Sequence, residues 1–307
     1  MTKAIALTEF GSADVLHATD IELPEPGPGQ VRLAVRAAGV NPIDSKIRSG
    51  AMQEVFPVTF PYVPGVEAAG VIEAVGPDVT HLAVGTEVFG RVATGAYAEQ
   101  ALASADALLP KPAGLDWAEA ASLLVAAETT YRALERLDLH PGETLLIHGA
   151  AGGVGSVAVQ FAVGRGLKVI GTASEANHAR LRSLGAVPVV YGDGLVARVR
   201  EVAPDGVDAA FDLAGRPQAL ADSVELTGGT ARVITVANAA TAKESGVAFT
   251  GGGDADRSRP AVAEALELLA TGKLRLAVHR TYPLAQAADA QRESEAGHAT
   301  GKIVLTV

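Results

Sequence analysis

The chain has 307 residues, of which 48% are hydrophobic and 20% are charged, and its formal net charge is -10 at pH 7. This length and apolar fraction allow two well-buried domains, and the acidic balance argues against nucleic acid or an anionic membrane as a partner. Because the chain contains 0 cysteines, disulfides, a thiol nucleophile and a thiolate zinc site are excluded, which suits a cytoplasmic enzyme. No apolar run predicts a membrane span, and residues 1–7 predict a first strand, not a signal peptide.

The first third of the chain predicts a compact, β-rich domain. Apolar residues alternate with others across 31–36, which is the period of a half-buried strand. Further short apolar runs at 71–75 and 84–89 lie between turn signals. The composition of the chain changes near residue 117, where the alanine- and leucine-rich range 117–137 predicts one helix.

Beyond this point predicted strands alternate with predicted helices, which is typical of a parallel sheet covered on both faces. Helices are predicted at 154–163, 175–184 and 261–269, and extended segments at 278–282 and 303–307 are expected to rejoin the first domain. Six strands match a doubly wound dinucleotide-binding fold. The predicted strands span 144–148, 168–172, 188–191, 208–212, 232–236 and 247–250.

The most informative stretch is 145–158, which reads as an apolar strand, a glycine-rich turn and the start of a helix. Ala150, Gly152 and Gly155 fit A-x-G-x-x-G, with alanine in a slot where the dinucleotide pattern prefers glycine. Such a turn lets backbone N–H groups approach a pyrophosphate, and the helix N-terminus adds partial positive charge. The alternative is an ordinary glycine-rich turn without a ligand. The residues expected to bind the cofactor here are Gly152, Gly153, Val154 and Gly155.

The choice between NADPH and NADH depends on the residues after the second strand of this fold. An NAD enzyme usually carries a carboxylate there, which accepts a hydrogen bond from the ribose 2′-hydroxyl. In this chain no acidic residue follows the strand before Glu175, whereas Ser174, Asn177, His178 and Arg180 offer donors to a 2′-phosphate. We therefore expect NADPH, although Glu175 would argue for NADH if its side chain turned inward.

Four segments resemble one known family. Residues 38–50 (A-G-V-N-P-I-D-S-K-I-R-S-G), residues 63–70 (V-P-G-V-E-A-A-G) and the glycine-rich turn occur in this order, and 301–304 (G-K-I-V) follows near the end. Together they are similar to the zinc-free quinone oxidoreductases of the medium-chain dehydrogenase/reductase superfamily.

The resemblance implies an α/β fold class, with a GroES-like β-rich domain and a doubly wound Rossmann domain that has a parallel six-stranded sheet. The GroES-like catalytic domain would span 1–118 and 274–307, and the Rossmann NADP-binding domain 119–273. It also implies an active-site cleft between these domains and a homodimer formed through Rossmann strand edges.

Zinc is not expected in this chain. Zinc-dependent relatives carry cysteine where Asn41 stands and histidine where Val66 stands. An amide is a poor zinc ligand, and valine has no donor atom. Alcohol dehydrogenation, which needs a Lewis acid to activate the alcohol, is therefore not expected.

Lys46 is the candidate catalytic group, with Asn41 supporting it. Hydride addition to the β-carbon of an enone generates an enolate oxygen, which a nearby cation stabilises. Relatives often carry tyrosine at this position, while a subset similar to plant enone reductases carries lysine, which favours conjugated carbonyls. The alternative is that Lys46 is a solvated cation on a loop. Asp44 and Arg48 are expected to form a local ion pair and turn.

Residues 127–134 resemble the family element G-L-T-A-Y-x-A-L near the nicotinamide. Thr129 matches the threonine that approaches the cofactor, although Ala127 and Glu128 replace glycine and leucine; the alternative is a structural threonine inside a helix. The resemblance also implies that Tyr191 lies beside the 2′-phosphate. Three further residues are expected in the cofactor site: Thr172, Leu213 and Val236.

These observations together predict an NADPH-dependent reductase of a small electrophilic acceptor, either a quinone or the C=C bond of an α,β-unsaturated carbonyl. Two alternatives remain: a non-catalytic, crystallin-like NADPH-binding protein, and a reductase of carrier-bound acyl chains. The acceptor pocket is expected to involve loops 51–61 and 250–258.

Overall fold

The computed structural model describes residues 1–251 and 258–307. They form two compact units, one comprising residues 1–124 and 277–307 and the other residues 125–276. The domain boundaries inferred from the sequence stay a prediction.

The strands and helices are numbered in chain order. The strands are β1 Thr2–Ala6, β2 His17–Ile21, β3 Gln30–Val40, β4 Glu67–Val75, β5 Glu87–Arg91, β6 Gln100–Ser104, β7 Leu108–Pro110, β8 Thr144–His148, β9 Lys168–Ala173, β10 Val187–Val190, β11 Ala209–Asp212, β12 Val233–Thr235, β13 Ala248–Phe249, β14 Val278–Pro283 and β15 Lys302–Thr306. The α-helices are α1 Pro42–Arg48, α2 Trp117–Ala120, α3 Leu124–Leu137, α4 Gly153–Gly164, α5 His178–Ser183, α6 Leu195–Val202, α7 Pro217–Thr227, α8 Ala239–Ser245, α9 Ser258–Ala270 and α10 Ala287–Ala296.

The first unit is built around the long strand β3. Its alternate residues Val31, Leu33 and Val35 are buried, as the period of two predicts for a strand with one face on a core. Strand β3 pairs antiparallel with β15, β4 and β6, and the sheet runs β14-β15-β3-β4-β5-β7. Because β15 pairs with β3, the end of the chain is built into the sheet of its first third.

The second unit contains six parallel strands in the order β10-β9-β8-β11-β12-β13. The chain steps from β8 outward to β10 and then returns to β11 on the other side of β8. Strand order therefore reverses between β8 and β11, which is the position where doubly wound sheets bind ligands beyond their carboxyl ends. The predicted doubly wound, six-stranded parallel sheet is confirmed.

The prediction of one helix over 117–137 is wrong, because α2 ends at Ala120 and α3 begins at Leu124. A capping box between Asp116 and Glu119 starts α2, and the Ser122 hydroxyl donates to the Glu119 carbonyl at 2.8 Å. That side-chain bond takes up a carbonyl at the helix end and favours termination there.

Two other elements differ from the predictions. The predicted helix 175–184 starts as a 3-10 turn over Glu175–Asn177 and becomes α-helical only at His178. Helix α10 was not predicted, because the residues that it buries include the alanines Ala287 and Ala290, which give a weak hydrophobic signal. Among the residues that the structure describes, none of the helices has the length and apolarity needed to cross a bilayer.

Candidate active site

The glycine-rich turn leaves β8 at His148 and enters α4 at Gly153. Gly149 has a φ of +70°, a left-handed conformation that favours glycine. The Ala150 N–H donates to the Thr172 carbonyl at 3.2 Å, which ties the turn to β9. Gly152 is the N-cap residue of α4, so the first N–H groups of the helix have no partner within the helix.

The surroundings of Gly155 and Gly152 differ in how strongly they require glycine. A Cβ atom on Gly155 would lie 2.1 Å from the Gly149 carbonyl oxygen and 2.8 Å from the Ala150 Cα, so the packing of α4 on the turn requires glycine. A Cβ atom on Gly152 would meet only the Gly149 oxygen, at 3.3 Å, and its φ of -72° is ordinary. The fold therefore explains the glycine at 155, whereas at 152 an added Cβ atom would make one tight contact and no overlap; glycine at 152 also fits the close approach of a pyrophosphate.

A buried carboxylate organises the loop after β11. Asp212 is fully buried and accepts hydrogen bonds from the Ala214 N–H at 2.9 Å and the Gly215 N–H at 3.2 Å. The Thr235 hydroxyl donates to the same carboxylate at 2.7 Å. Asp212 therefore links the ends of β11 and β12. This role of Asp212 was not predicted, although an acidic residue at the end of an apolar strand is a sequence signal for it.

Two predicted cofactor residues lie at this same edge. The Leu213 N–H donates to the His148 carbonyl, and the Val236 N–H donates to the Asp212 carbonyl, both at 3.2 Å. The backbone ends of β8, β11 and β12 are thus bonded to one another. This arrangement holds Leu213 and Val236 at the carboxyl edge of the sheet, and Leu213 lies next to Gly149 of the glycine-rich turn.

The Thr172 side chain has an internal partner. Its hydroxyl oxygen lies 3.3 Å from Nδ1 of His148, whose Nε2 lies 2.9 Å from the Ser223 hydroxyl. Burial lowers the pKa of His148, which favours a neutral ring inside this chain of hydrogen bonds. Thr172 therefore supports the turn through its carbonyl and through His148.

The residues predicted to recognise a 2′-phosphate follow β9 and β10. The Asn177 side-chain amide donates to the Ser174 hydroxyl at 3.1 Å, and both side chains are partly exposed. Glu175 is exposed. His178 has a buried Nε2 atom without a hydrogen-bond partner among the described residues. Tyr191 lies just beyond the end of β10 and is 41% exposed.

In the first unit, Asn41 begins the helix that carries Lys46. Asn41 is the extended N-cap residue of α1, and Pro42 occupies the first helical position, where a missing N–H costs no hydrogen bond. Lys46 lies in the last turn of α1 and is half-buried. Burial lowers the pKa of Lys46. Lys46 is thus a helical, partly desolvated ammonium, and not a fully solvated loop cation.

The Asn41 amide is committed to a buried charge network. Its Nδ2 donates to Glu67 Oε1 at 2.9 Å, and its Oδ1 accepts from Lys302 Nζ at 2.5 Å. Lys302 Nζ also donates to Glu67 Oε1 at 2.8 Å. The side chains of Lys302 and Glu67 are 7% and 1% exposed, so the pair is desolvated and depends on these hydrogen bonds. This network was not predicted, because it joins residues from three distant segments of the sequence.

The expected ion pair between Asp44 and Arg48 is wrong. Asp44 accepts from the Asn41 N–H at 2.9 Å and from the Tyr97 hydroxyl at 3.0 Å, while Arg48 donates to Glu295 of α10 at 2.5 Å. Their spacing on α1 allows a pair, but the buried Tyr97 and the packing of α10 provide other partners. Burial raises the pKa of Asp44 to about 7, partly offset by its hydrogen bond from the Asn41 N–H.

Thr129 lies in the second unit, half-buried on α3, and its approach to a cofactor stays a prediction.

Of the predicted acceptor loops, 51–61 contributes Pro61 to the lining of a cavity of about 550 Å³ in the first unit. The lining of that cavity does not include Lys46. Loop 250–258 lies partly outside the described residues, because 252–257 are not described. The composition of the acceptor pocket stays a prediction.

Comparison with known proteins identifies the family. Residues 27–113 match the alcohol dehydrogenase GroES-like domain, and residues 184–305 match a family described as zinc-binding dehydrogenase. Asn41 and Val66 do not fit a zinc ion, because the Asn41 amide is held by Glu67 and Lys302 and Val66 has no donor atom. Among residues 1–251 and 258–307, no group of three His, Asp or Glu side chains could hold a metal.

Similarity to individual proteins extends over the whole chain. The Pseudomonas aeruginosa quinone oxidoreductase is 34% identical over 330 residues, covering 99% of this chain and 99% of that protein. The pikromycin polyketide synthase component PikAII of Streptomyces venezuelae is 36% identical over 307 residues, covering 92% of this chain but only 8% of that much longer protein.

Among solved structures, Escherichia coli quinone oxidoreductase complexed with NADPH superposes with a TM-score of 0.88 at 26% identity, covering 99% of this chain and 100% of that one. The GroES-like and Rossmann domains predicted from the sequence are both confirmed. The chain belongs to the quinone oxidoreductase family of the medium-chain dehydrogenases/reductases.

Proposed function

We propose that this protein is an NADPH-dependent oxidoreductase that reduces a quinone or the C=C bond of an α,β-unsaturated carbonyl, without zinc. The observation that carries the proposal is the turn at Gly152, where an added Cβ atom would meet a single atom, the Gly149 oxygen at 3.3 Å, so that the fold gives a weaker steric reason for glycine here than at Gly155. The E. coli quinone oxidoreductase of similar fold is complexed with NADPH, which supports the same ligand here.

The residues of the second unit fit NADPH. The turn Gly152–Gly155 would hold the pyrophosphate, since backbone N–H groups at a helix N-terminus bind anions. Ser174, Asn177, His178 and Tyr191 would surround the 2′-phosphate, and the exposed side chain of Glu175 provides no inward carboxylate for a 2′-hydroxyl. When bound, NADPH supplies a hydride, and the protein must orient it and stabilise charge on the acceptor.

Lys46 would stabilise that charge. Reduction of an enone places negative charge on the carbonyl oxygen, and a partly desolvated ammonium interacts with it more strongly than a fully solvated one does. Asn41 would act as a positioning residue, because both ends of its amide are bonded to Glu67 and Lys302. Thr129 would contact the nicotinamide, as the family element implies.

A second candidate is a reductase of carrier-bound acyl chains, which the similarity to a polyketide synthase component favours. An enoyl thioester also contains an activated C=C bond, so the same hydride chemistry would apply.

We further propose a cytoplasmic homodimer formed through a Rossmann strand edge, where the edge strand β13 presents the partly exposed Phe249. Light scattering would test the dimer.

The proposal is tested by following the oxidation of NADPH with a panel of quinones, alkenals, cyclic enones and enoyl thioesters, and with NADH as the control. We expect turnover with NADPH for at least one quinone or enone. Turnover of enoyl thioesters alone would support the second candidate. Tight NADPH binding without oxidation by any acceptor would overturn both and indicate a crystallin-like binding protein.

A further inference from the structure

An arginine and a tyrosine meet across the carboxyl edge of the six-stranded sheet. The Arg216 guanidinium carbon lies 4.8 Å from the centroid of the Tyr191 ring, which is within range of a cation–π contact. Tyr191 directly follows β10, and Arg216 lies four residues after the end of β11. Both side chains therefore project from loops at the edge where this type of sheet binds its ligands.

The strand order shows what lies between the two loops. Strands β9 and β8 separate β10 from β11, so the loops start about 14 Å apart at the usual strand spacing of about 4.8 Å. A contact between them must pass over the carboxyl ends of β9 and β8. Those ends carry Ser174 and the glycine-rich turn, which are the residues proposed to hold the adenosine 2′-phosphate and the pyrophosphate.

The loop that carries Tyr191 is fixed by another arginine. The Arg198 guanidinium donates to the Val190 carbonyl at 2.9 Å and to the Gly192 carbonyl at 3.0 Å, on either side of Tyr191. These bonds satisfy the carbonyls on both sides of Tyr191 and orient the backbone of the loop. The loop that carries Tyr191 is thus held by side-chain hydrogen bonds, and the tyrosine ring is positioned to stack against a planar cation.

The loop that carries Arg216 is fixed as well. Asp212 accepts from the N–H groups of Ala214 and Gly215, and the segment Leu213–Ala214 lies next to Gly149 of the glycine-rich turn. Arg216 itself is exposed, and no carboxylate pairs with it in the part of the chain that the structure describes. Stacking on a ring leaves the N–H edges of a guanidinium open, and their planar fork matches a phosphate.

We propose that Arg216, stacked on Tyr191, is a specificity-determining residue that binds the 2′-phosphate of the adenosine moiety. The inference deepens the proposed function and rests on NADPH as the cofactor. Arg216 supplies a fixed cation at the phosphate subsite, where the neighbouring Ser174 and Asn177 supply neutral donors. Tyr191 acts by holding the guanidinium plane in place.

The test measures binding of cofactor fragments, without any acceptor. Calorimetry with 2′,5′-ADP and with 5′-AMP would compare the natural protein with Arg216→Gln. One charge-assisted hydrogen-bond pair corresponds to about a tenfold to hundredfold change in affinity. We expect Arg216→Gln to weaken 2′,5′-ADP by at least about tenfold and to leave 5′-AMP within about twofold.

Arg200→Gln is the matched control, because Arg200 lies on helix α6 and pairs with Glu225 at the surface. It removes the same charge and should not change the affinity for either fragment. Tyr191→Leu should lower the affinity for 2′,5′-ADP even with Arg216 present, since the aromatic ring that stacks against the guanidinium is lost. The melting temperature of each variant would show whether it is folded.

The outcomes separate this inference from the proposed function. If the natural protein binds 2′,5′-ADP no better than 5′-AMP, the NADPH assignment itself fails. If the natural protein prefers 2′,5′-ADP and Arg216→Gln keeps that preference, or weakens both fragments equally, the role of Arg216 is refuted while NADPH binding stands.

Discussion

Replacing Gly155 with alanine should destabilise the second unit, whereas the same replacement at Gly152 should weaken NADPH binding and leave the fold intact. At 155 the new methyl carbon would lie 2.1 Å from the Gly149 carbonyl oxygen, so helix α4 must move away from the turn by about 1 Å. Overpacking of this kind costs about 1–3 kcal/mol. The melting temperature of a unit of this size falls by roughly 2–4 °C for each kcal/mol.

At Gly152 the same methyl carbon would lie 3.3 Å from the Gly149 oxygen, and the backbone conformation accepts any L-residue. Replacing glycine with alanine lowers the conformational entropy of the unfolded chain, which stabilises the folded state by about 0.4–1 kcal/mol and offsets the cost of this contact. The methyl group would instead occupy the space into which the pyrophosphate must move. We expect at least a tenfold loss of NADPH affinity, which is about 1.4 kcal/mol, and the bulkier Gly152→Val should abolish binding.

Thermal unfolding of the ligand-free proteins and calorimetry with NADPH would measure the two effects separately. The pair is matched, because each variant adds one methyl group to a glycine of the same turn-and-helix segment. The reasoning would be refuted if Gly155→Ala melted at the temperature of the natural protein. It would also fail if Gly152→Ala bound NADPH with unchanged affinity.

Three further predictions concern other positions. Lys46→Met should bind NADPH nearly normally but reduce conjugated carbonyls about a hundred- to a thousandfold more slowly, since one donor to a developing oxyanion contributes about 2.7–4 kcal/mol; stopped-flow kinetics should show a smaller loss for quinones, and equal, small losses would make Lys46 a surface cation. Asp44 has a pKa raised from 3.8 to about 7 in the folded protein, so the folded state binds more protons than the unfolded state between these values. Its contribution to the unfolding free energy therefore declines as pH rises through this range. Denaturant unfolding at several pH values should show this decline weakened in Asp44→Asn, and an unchanged pH dependence would contradict the assignment. Ser174→Asp should weaken NADPH and spare NADH, because it places a negative charge at the 2′-phosphate subsite; equal losses for both cofactors in a titration would contradict this.

The sequence predicted the second unit well because its strands are short apolar runs bounded by glycine and polar turns. The break between α2 and α3 was not predictable from helix propensity, because Ser122 stands alone between Ala121 and Leu123 and the break depends on the capping and side-chain bonds of α2. Helix α10 was missed for the opposite reason. Its buried positions are small or polar, as at Gln291, and only packing on the first unit identifies them as core.

In the candidate site, local motifs were predictable and long-range partners were not. Glu67 and Lys302 both occur in the segments that resemble the family, yet they are 235 residues apart in the chain. They meet because β15 and β4 pair with opposite sides of β3, near Asn41 at its end. A charged residue within a run of small or apolar residues is the sequence signal for such a network. It indicates a buried partner but does not identify it.

Direct hydride transfer from NADPH to an electrophilic acceptor can be followed by deuterium labelling. The protein would be incubated with a conjugated enone and NADPH deuterated at C4 of the nicotinamide, in separate reactions for each of the two diastereotopic positions. Mass spectrometry and NMR would locate the label in the product. We expect deuterium at the β-carbon of the saturated carbonyl from one labelled form and not from the other. Product formed without deuterium from either form, or a label at any other carbon, would contradict it.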